Sequence, residues 1–205
     1  MTRGRFITFE GGEGVGKSTQ IRRLVARLQS DGIEVLATRE PGGSPGGEAI
    51  RDLVLNGVAD RWSALTETLL MYAARRDHIE RVIQPALARG DWVVCDRFAD
   101  SSRAYQGGAG GVEPGLLDAL DIHVLGSVWP DLTLVFDLPP DVGLSRAQSR
   151  TGTEIRFESK GIEYHARLRS AFLAVAKADP DRCKVIPASG SEDEVAALVW
   201  SAVHG

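Results

Sequence analysis

Residues Gly11 to Ser18 read Gly-Gly-Glu-Gly-Val-Gly-Lys-Ser, with the glycine, lysine and hydroxyl spacing that wraps backbone N–H groups around a polyphosphate. The flanks supply the context this pattern requires. Arg5 to Glu10 (Arg-Phe-Ile-Thr-Phe-Glu) is a short apolar, β-prone run, and Ile21, Leu24, Val25 and Leu28 recur at helical spacing beyond the glycines. Strand, glycine turn and helix together aim a helix N-terminus at phosphate, which a chance glycine turn does not. The pattern predicts a nucleoside triphosphate held by Gly11, Gly12, Glu13, Gly14, Val15, Gly16, Lys17, Ser18 and Thr19. Lys17 reaches the β- and γ-phosphates, and the Ser18 hydroxyl faces Mg²⁺.

The remainder of the chain repeats the same alternation. Apolar runs at 33–38, 92–95, 132–137 and 183–186 read as four more strands. Between them, the pattern predicts helices at 49–55, about 65–89, up to about Gly126, up to about Arg150, about 158–177 and 192–203. Pro41, Gly42, Gly43, Pro45, Gly46 and Gly47 mark a loop, and Gly107 to Gly111 an interruption. In the long helix, Leu69, Tyr72, Ile79, Val82, Ile83 and Leu87 are available for burial, with Pro85 as a potential kink. Nearly continuous apolar strands separated by helices imply an α/β fold: one domain over 1–205, a five-stranded parallel sheet flanked by helices in three layers. Ligands of such sheets bind beyond the carboxyl ends of the strands. That edge collects Glu10 to Ser18, Arg39-Glu40-Pro41 and Asp96-Arg97.

Composition narrows the partners. A net charge of −4 argues against nonspecific nucleic-acid binding, which needs a basic face. No apolar run is long enough to span a bilayer, and no signal-peptide core precedes the first strand, so the expectation is a cytoplasmic protein without a membrane partner. Cys95 and Cys183 suit small buried hydrophobes, and the four histidines lack metal-ligand spacing.

A phosphate loop alone leaves GTPases, ATPases, kinases and transport motors open. No Asn-Lys-x-Asp segment is present to read guanine. Arg39, Arg51, Arg75 and Arg97 bring more positive charge to the ligand edge than ATP requires, which favours a second, anionic substrate. Asp96 ends a buried strand, where a carboxylate can organise the Mg²⁺ shell. Arg146, Arg150 and Arg156 flank Thr151-Gly152-Thr153, a glycine-hinged, arginine-bearing lid at about 146–158 that would neutralise charge and exclude water. A solvated surface loop remains the alternative reading of that segment.

The segment Asp96-Arg97-Phe98-Ala99-Asp100-Ser101-Ser102-Arg103-Ala104-Tyr105-Gln106 resembles the signature of the thymidylate kinases, P-loop kinases of nucleoside monophosphates. Thr38 to Gly43 is similar to the family's second signature, and Phe9-Glu10-Gly11 fits its approach to the loop. The resemblance implies transfer of the ATP γ-phosphoryl to thymidine 5′-monophosphate (dTMP) with Mg²⁺, giving dTDP for DNA synthesis, by an enzyme that is usually a homodimer.

It also implies roles for individual residues. Glu13 lies near the acceptor sugar; Arg97 and Arg39 hold the acceptor phosphate with help from Arg51, and Asp96 joins Ser18 at the metal shell. Arg75 and Ser102 read thymine, Tyr105 packs on the sugar, and Glu10, Pro41, Ser101 and Gln106 complete the acceptor wall. Because the phosphate loop carries no arginine, the chain is similar to the bacterial form in which lid arginines, here Arg150 and Arg156, join Lys17, Arg97 and Glu13 in catalysis. One departure stands out: Met71 occupies the place of the aromatic that stacks on thymine. A kinase of another nucleoside monophosphate, a GTP switch, and a nucleoside kinase using Glu10 or Glu13 as base remain the rival readings.

Overall fold

The computed structural model describes residues 3–56, 61–148 and 160–205. Five strands, β1 (Phe6–Gly11), β2 (Val35–Arg39), β3 (Trp92–Asp96), β4 (Leu132–Asp137) and β5 (Cys183–Pro187), pair in parallel in the order β2-β3-β1-β4-β5. β1 is buried along its whole length because neighbours pair on both sides and helices cover both faces. The register sets Arg39 beside Asp96 and Phe9 beside Asp96, so the ends of three strands share one edge.

Alternation along β1 sorts the layers. Ile7 and Phe9 pack with Val94, Leu134 and Phe136 under α1 (Lys17–Ser30) and the C-terminal helix, whose Val195, Val199 and Val203 complete that core. Phe6 turns to the opposite face with Val93 and Cys95, beneath Tyr72, Ile79, Ile83 and Leu87. Thr8 and Glu10 point to this second face as well, and both are fully buried. Cys95 and Cys183 are free and buried.

Helix α2 (Pro45–Leu55) begins earlier than the glycine and proline content predicts. Ser44 accepts a hydrogen bond from Gly47 N–H and Pro45 occupies the first turn, so residues read as breakers form a capped helix start. The long helix is α3 (Ala64–His78), a π-helical turn over Ile79–Ile83, and α4 (Gln84–Arg89). Gln84 N–H donates to Ile79 O, and the wide turn accommodates Pro85, which has no N–H to give. Leu69, expected in the core, is 49% exposed; Tyr72, Ile79, Ile83 and Leu87 are buried as expected.

Beyond β3 come α5 (Ala99–Ser102), a π-helical segment over Arg103–Ala109 and α6 (Pro114–Leu125). The remaining helices are α7 (Pro140–Gln148), α8 (Ile162–Ala178) and α9 (Glu192–His204). α7 meets the phosphate loop backbone to backbone: a Cβ on Gly14 (φ +67°) would lie 1.9 Å from Gly143 O. Only glycine fits there.

Candidate active site

A cavity of about 260 Å³ opens at the carboxyl edge of β1, β2 and β3. Its lining gathers most of the expected residues: Glu13 to Ser18, Arg39, Pro41, Arg51, Met71, Arg75, Asp96, Arg97, Ser101, Ser102, Tyr105 and Gln106. Leu55, Phe98 and Ala147 also line it and were absent from the expected set, as does Glu40, which was expected at this edge but given no role. Glu40 and Phe98 lie inside the quoted signature segments, so their position was the available signal.

The phosphate loop turns at β1 and delivers Lys17 to the cavity floor. Its Nζ donates to Gly11 O at 3.1 Å and Gly12 O at 2.9 Å. Burial and the neighbouring Arg97 lower its ammonium to about 8, against the pull of Asp96, Glu13 and Glu10. Gly11 and Gly12 thus contribute carbonyls to this network, and Thr19 lies on the first turn of α1, where its hydroxyl accepts from Arg22. Ser18 Oγ lies 3.3 Å from Asp96 Oδ2, while Asp96 Oδ1 is buried with no protein partner. A hydroxyl and an unsatisfied carboxylate oxygen at the phosphate end match the hard oxygen donors that Mg²⁺ prefers. Among the described residues no cluster of three or more His, Cys, Asp or Glu could hold a metal by itself, so phosphate and water oxygens would complete such a shell.

Arg97 ends the β3 turn with φ at 69°, a left-handed conformation that side chains other than glycine occupy at a cost of roughly 1 kcal/mol or more. Its Nη1 donates to Gly11 O at 2.9 Å and its Nη2 to Glu13 Oε1 at 3.0 Å. Tyr105 OH donates to the same Glu13 oxygen at 2.5 Å, and the guanidinium lies 4.9 Å from the Tyr105 ring centroid. Burial would raise the Glu13 carboxyl, but Arg97, Lys17 and the Tyr105 hydroxyl hold it down at about 2. Tyr105, Glu13, Asp96 and Glu10 in turn keep Arg97 charged against its burial.

Glu10, expected on the acceptor wall, stands behind it. It accepts from Phe98 N–H at 2.7 Å, Ser101 N–H at 3.2 Å and Ser101 Oγ at 2.6 Å. It therefore fixes the turn that presents Arg97 and caps α5 from below, a role set by the face alternation of β1. Burial, then Asp100, raises its carboxyl from 4.5 to about 7, against Ser101, Arg97 and Phe98. Between pH 4.5 and 7 the folded protein therefore holds a proton that the unfolded chain has released. The associated stability is complete below 4.5 and lost as pH rises through 7, about 3 kcal/mol in total. Glu10→Gln abolishes that titration, so its Tm is expected to fall less than the parent's between pH 5 and pH 8. Parallel Tm profiles across that range would place the carboxyl at its ordinary value.

One wall of the cavity is built by α3, α5 and the loop after β2. Arg75 is 3% exposed; its Nη2 donates to Phe98 O at 3.0 Å and Ser102 Oγ at 3.1 Å, and its Nε to Glu40 Oε2 at 2.7 Å. Arg75 Nη1 is buried with no protein partner. Arg51 Nη1 donates to Pro41 O at 2.7 Å, and the exposed Arg39 forks onto Glu48 at 3.0 and 3.1 Å. Gln106 Nε2 donates to Glu67 Oε1 at 2.9 Å from the π-helical segment, whose wide turns carry Tyr105 and Gln106 toward the cavity. Arg150, Arg156 and residues 149–158 of the expected lid lie outside the described residues. Arg146, at its near end, donates to Ala188 O at 3.3 Å.

Comparison with known proteins gives one answer. The sequence model of the family described as thymidylate kinase matches residues 9–199. The chain is similar to the thymidylate kinase of Caulobacter vibrioides, 62% identical over 203 residues that cover 99% of this chain and 97% of that one. It is similar to the Nitrobacter winogradskyi thymidylate kinase, 56% identical over 98% of this chain and 89% of the relative. The crystal structure of the Ehrlichia chaffeensis thymidylate kinase superposes with a TM-score of 0.79 at 33% identity, covering 98% of this chain and 99% of that chain.

Proposed function

The chain belongs to the thymidylate kinase family, and on that premise we propose that the cavity seats dTMP end to end with the ATP phosphates held by Gly11 to Thr19. The reaction is ATP-dependent phosphorylation of dTMP to dTDP. One observation carries the assignment of residues. Two buried polar atoms without protein partners, Asp96 Oδ1 and Arg75 Nη1, belong to residues lining a single cavity. Each such atom costs about 1–3 kcal/mol unless a ligand satisfies it. Asp96 suits a metal-bound phosphate, and Arg75 a base carbonyl.

Lys17 and Arg97 would bracket the transferring phosphoryl group, Lys17 from the donor side and Arg97 from the acceptor side. Arg39 and Arg51 add charge at the acceptor phosphate, and Arg150 and Arg156 would close over the transfer. Ser18 and Asp96 would hold Mg²⁺, which neutralises charge building on the phosphate oxygens. The attacking oxygen of dTMP is already anionic, so no strong base is needed, and the chain's contribution is positioning and charge. Glu13, held at about 2, is a poor base and a good anchor for Arg97 and Tyr105. With Glu10 spent on backbone N–H groups behind the wall, neither acid is set up for a nucleoside kinase.

Tyr105 and Ser102 would bound the sugar and base, with Met71 packing on the ring face in place of an aromatic. We place the enzyme in the cytoplasm; no described helix is long and apolar enough to cross a membrane. We also assign it as a homodimer, a reading supported by Leu65 and Leu69 of α3 and Ile122 of α6, all large, apolar and exposed.

Turnover on dTMP, dUMP, dCMP and dGMP at fixed ATP tests the reading. The expected order has dTMP first, dUMP about tenfold lower for its missing methyl, and dCMP lower still because its amine opposes a donor-only guanidinium. A clear preference for another acceptor would defeat the dTMP assignment.

A further inference from the structure

Glu40 and His78 take no part in the phosphoryl chemistry, yet both are buried beside the cavity, Glu40 at 5% and His78 at 0% exposure. Glu40 stands between two nitrogen donors. Arg75 Nε donates to Glu40 Oε2 at 2.7 Å, and His78 Nδ1 lies 3.1 Å from Glu40 Oε1. The far nitrogen of the ring, Nε2, is 2.8 Å from Thr38 Oγ1 on β2. A carboxylate only accepts, so the His78 nitrogen facing it carries the proton. A glycine seals the outer side: a Cβ on Gly43 (φ +79°) would lie 2.4 Å from His78 Nε2. Thr38, His78, Glu40, Arg75 and Ser102 thus form one hydrogen-bonded chain from β2 across α3 to α5.

The chain dictates which Arg75 donors remain. A guanidinium has five N–H groups in a rigid plane. Nε is taken by Glu40, and Nη2 is divided between Phe98 O and Ser102 Oγ. The rings of Tyr72 and Phe98, at 4.7 and 5.3 Å from the guanidinium carbon, hold the plane. Only Nη1 is left, buried and unsatisfied. If Glu40 were free to rotate, the guanidinium plane could swing with it. With one oxygen on Arg75 and the other on His78, it cannot rotate without breaking a buried bond.

We propose that Glu40 and His78 are positioning residues for base selection, holding the Arg75 guanidinium in one plane so that the acceptor base meets only N–H donors there, which admits a carbonyl edge over an exocyclic amine. The proposal rests on the reading of Arg75 as the base-contacting residue. A pair with a merely structural role would weaken the whole enzyme; a positioning pair changes recognition of one substrate.

The test uses the full chain and measures kcat and KM for dTMP, dCMP and ATP. Glu40→Gln is expected to raise the dTMP KM and to lower the dTMP-over-dCMP preference, each by about tenfold, with the ATP KM moving less than about twofold. His78→Asn keeps a donor nitrogen where Nδ1 stands and is expected to stay within about threefold of the parent, whereas His78→Gln, which replaces Nε2 instead, reproduces the Glu40→Gln defect. If Glu40→Gln does not fold, the contrast between the two His78 variants decides. Arg75→Lys serves as the reference, losing the fork and the preference. Preference unchanged in the Glu40 and His78 variants but lost in Arg75→Lys overturns the proposal and leaves the base-reading assignment standing. Preference unchanged in all of them sinks that assignment and the proposal together. Losses shared equally between dTMP and ATP, with the preference kept, make the pair a structural ion pair and also overturn the proposal.

Discussion

Lys17→Ala is expected to lower kcat by about 10³-fold or more, because on the proposed mechanism it removes a cation held against the transferring phosphoryl group. A coupled ADP-release assay with dTMP checks the loss, and near-normal turnover would remove Lys17 from the chemistry. The fold should survive. Lys17 is 7% exposed and its protein contacts are the Gly11 and Gly12 carbonyls, so the ammonium costs the folded chain stability. Its folded value of about 8 lies below the unfolded 10.5, so between those limits the unfolded chain binds the extra proton. Parental stability therefore contains a component that rises with pH from 8 to 10.5, and Lys17→Ala lacks it. The Tm of the variant is expected to equal or exceed the parent's at pH 7, with the gap moving in the parent's favour by pH 10. The same titration predicts weaker ATP binding by the parent as pH climbs past 8.

Arg97→Ala is the second large effect, and it differs in kind. Arg97 joins the phosphate loop at Gly11 O, the Glu13 carboxylate and the Tyr105 ring face. Its loss is expected to cut kcat/KM for dTMP by about 10³-fold and to destabilise the fold by about 3 kcal/mol, because Glu13 loses its ion-pair partner in a largely buried place. Glu13 sits at about 2 against an ordinary 4.5, so its stabilising contribution is present above 4.5 and lost as pH falls through 2. Without Arg97 that depression shrinks, and the acid unfolding midpoint should move upward. The left-handed φ of 69° supplies a control: Arg97→Gly relieves the backbone and is expected to be no less stable than Arg97→Ala. Unchanged acid stability in Arg97→Ala would show that Glu13 is held by other groups.

The two variants separate what Lys17 and Arg97 do for the molecule. On the proposed mechanism, one is a charge the fold tolerates for the sake of the reaction; the other is a charge that the reaction and the fold share. Glu10 belongs with Arg97, since the raised carboxyl under Phe98 and Ser101 fixes the turn from which Arg97 projects.

Much of the architecture could be read in one dimension. β4 lies at Leu132–Asp137 as its apolar run predicts, and the phosphate loop joins β1 to α1 as its glycines require. Arg75, Arg97, Ser102 and Tyr105, expected at the acceptor site from the family resemblance, line one cavity. Misreadings came where two local signals competed. Pro45, Gly46 and Gly47 looked like breakers, but Ser44 as a cap and Pro45 in the first turn start a helix. Leu69 fits the apolar period of α3, yet it stands half exposed while Tyr72, one turn on, is buried. The π-helical turns at Ile79–Ile83 and Arg103–Ala109 leave no mark in the hydrophobic period.

Glycine sterics, proline's missing donor and the two apolar periods act within a few residues, so the amino-acid order alone settled the phosphate loop, the strands and the α/β class. Which strands lie side by side is a matter of long-range packing, and it governs every pairing in the site. Glu10 meets Ser101 across 91 positions, Arg97 meets Glu13 across 84, and Glu40 meets His78 across 38. Until β3 lies beside both β1 and β2, these charges have no common place. Only the folded chain decides which oxygen each guanidinium takes, and so which donors remain for a substrate.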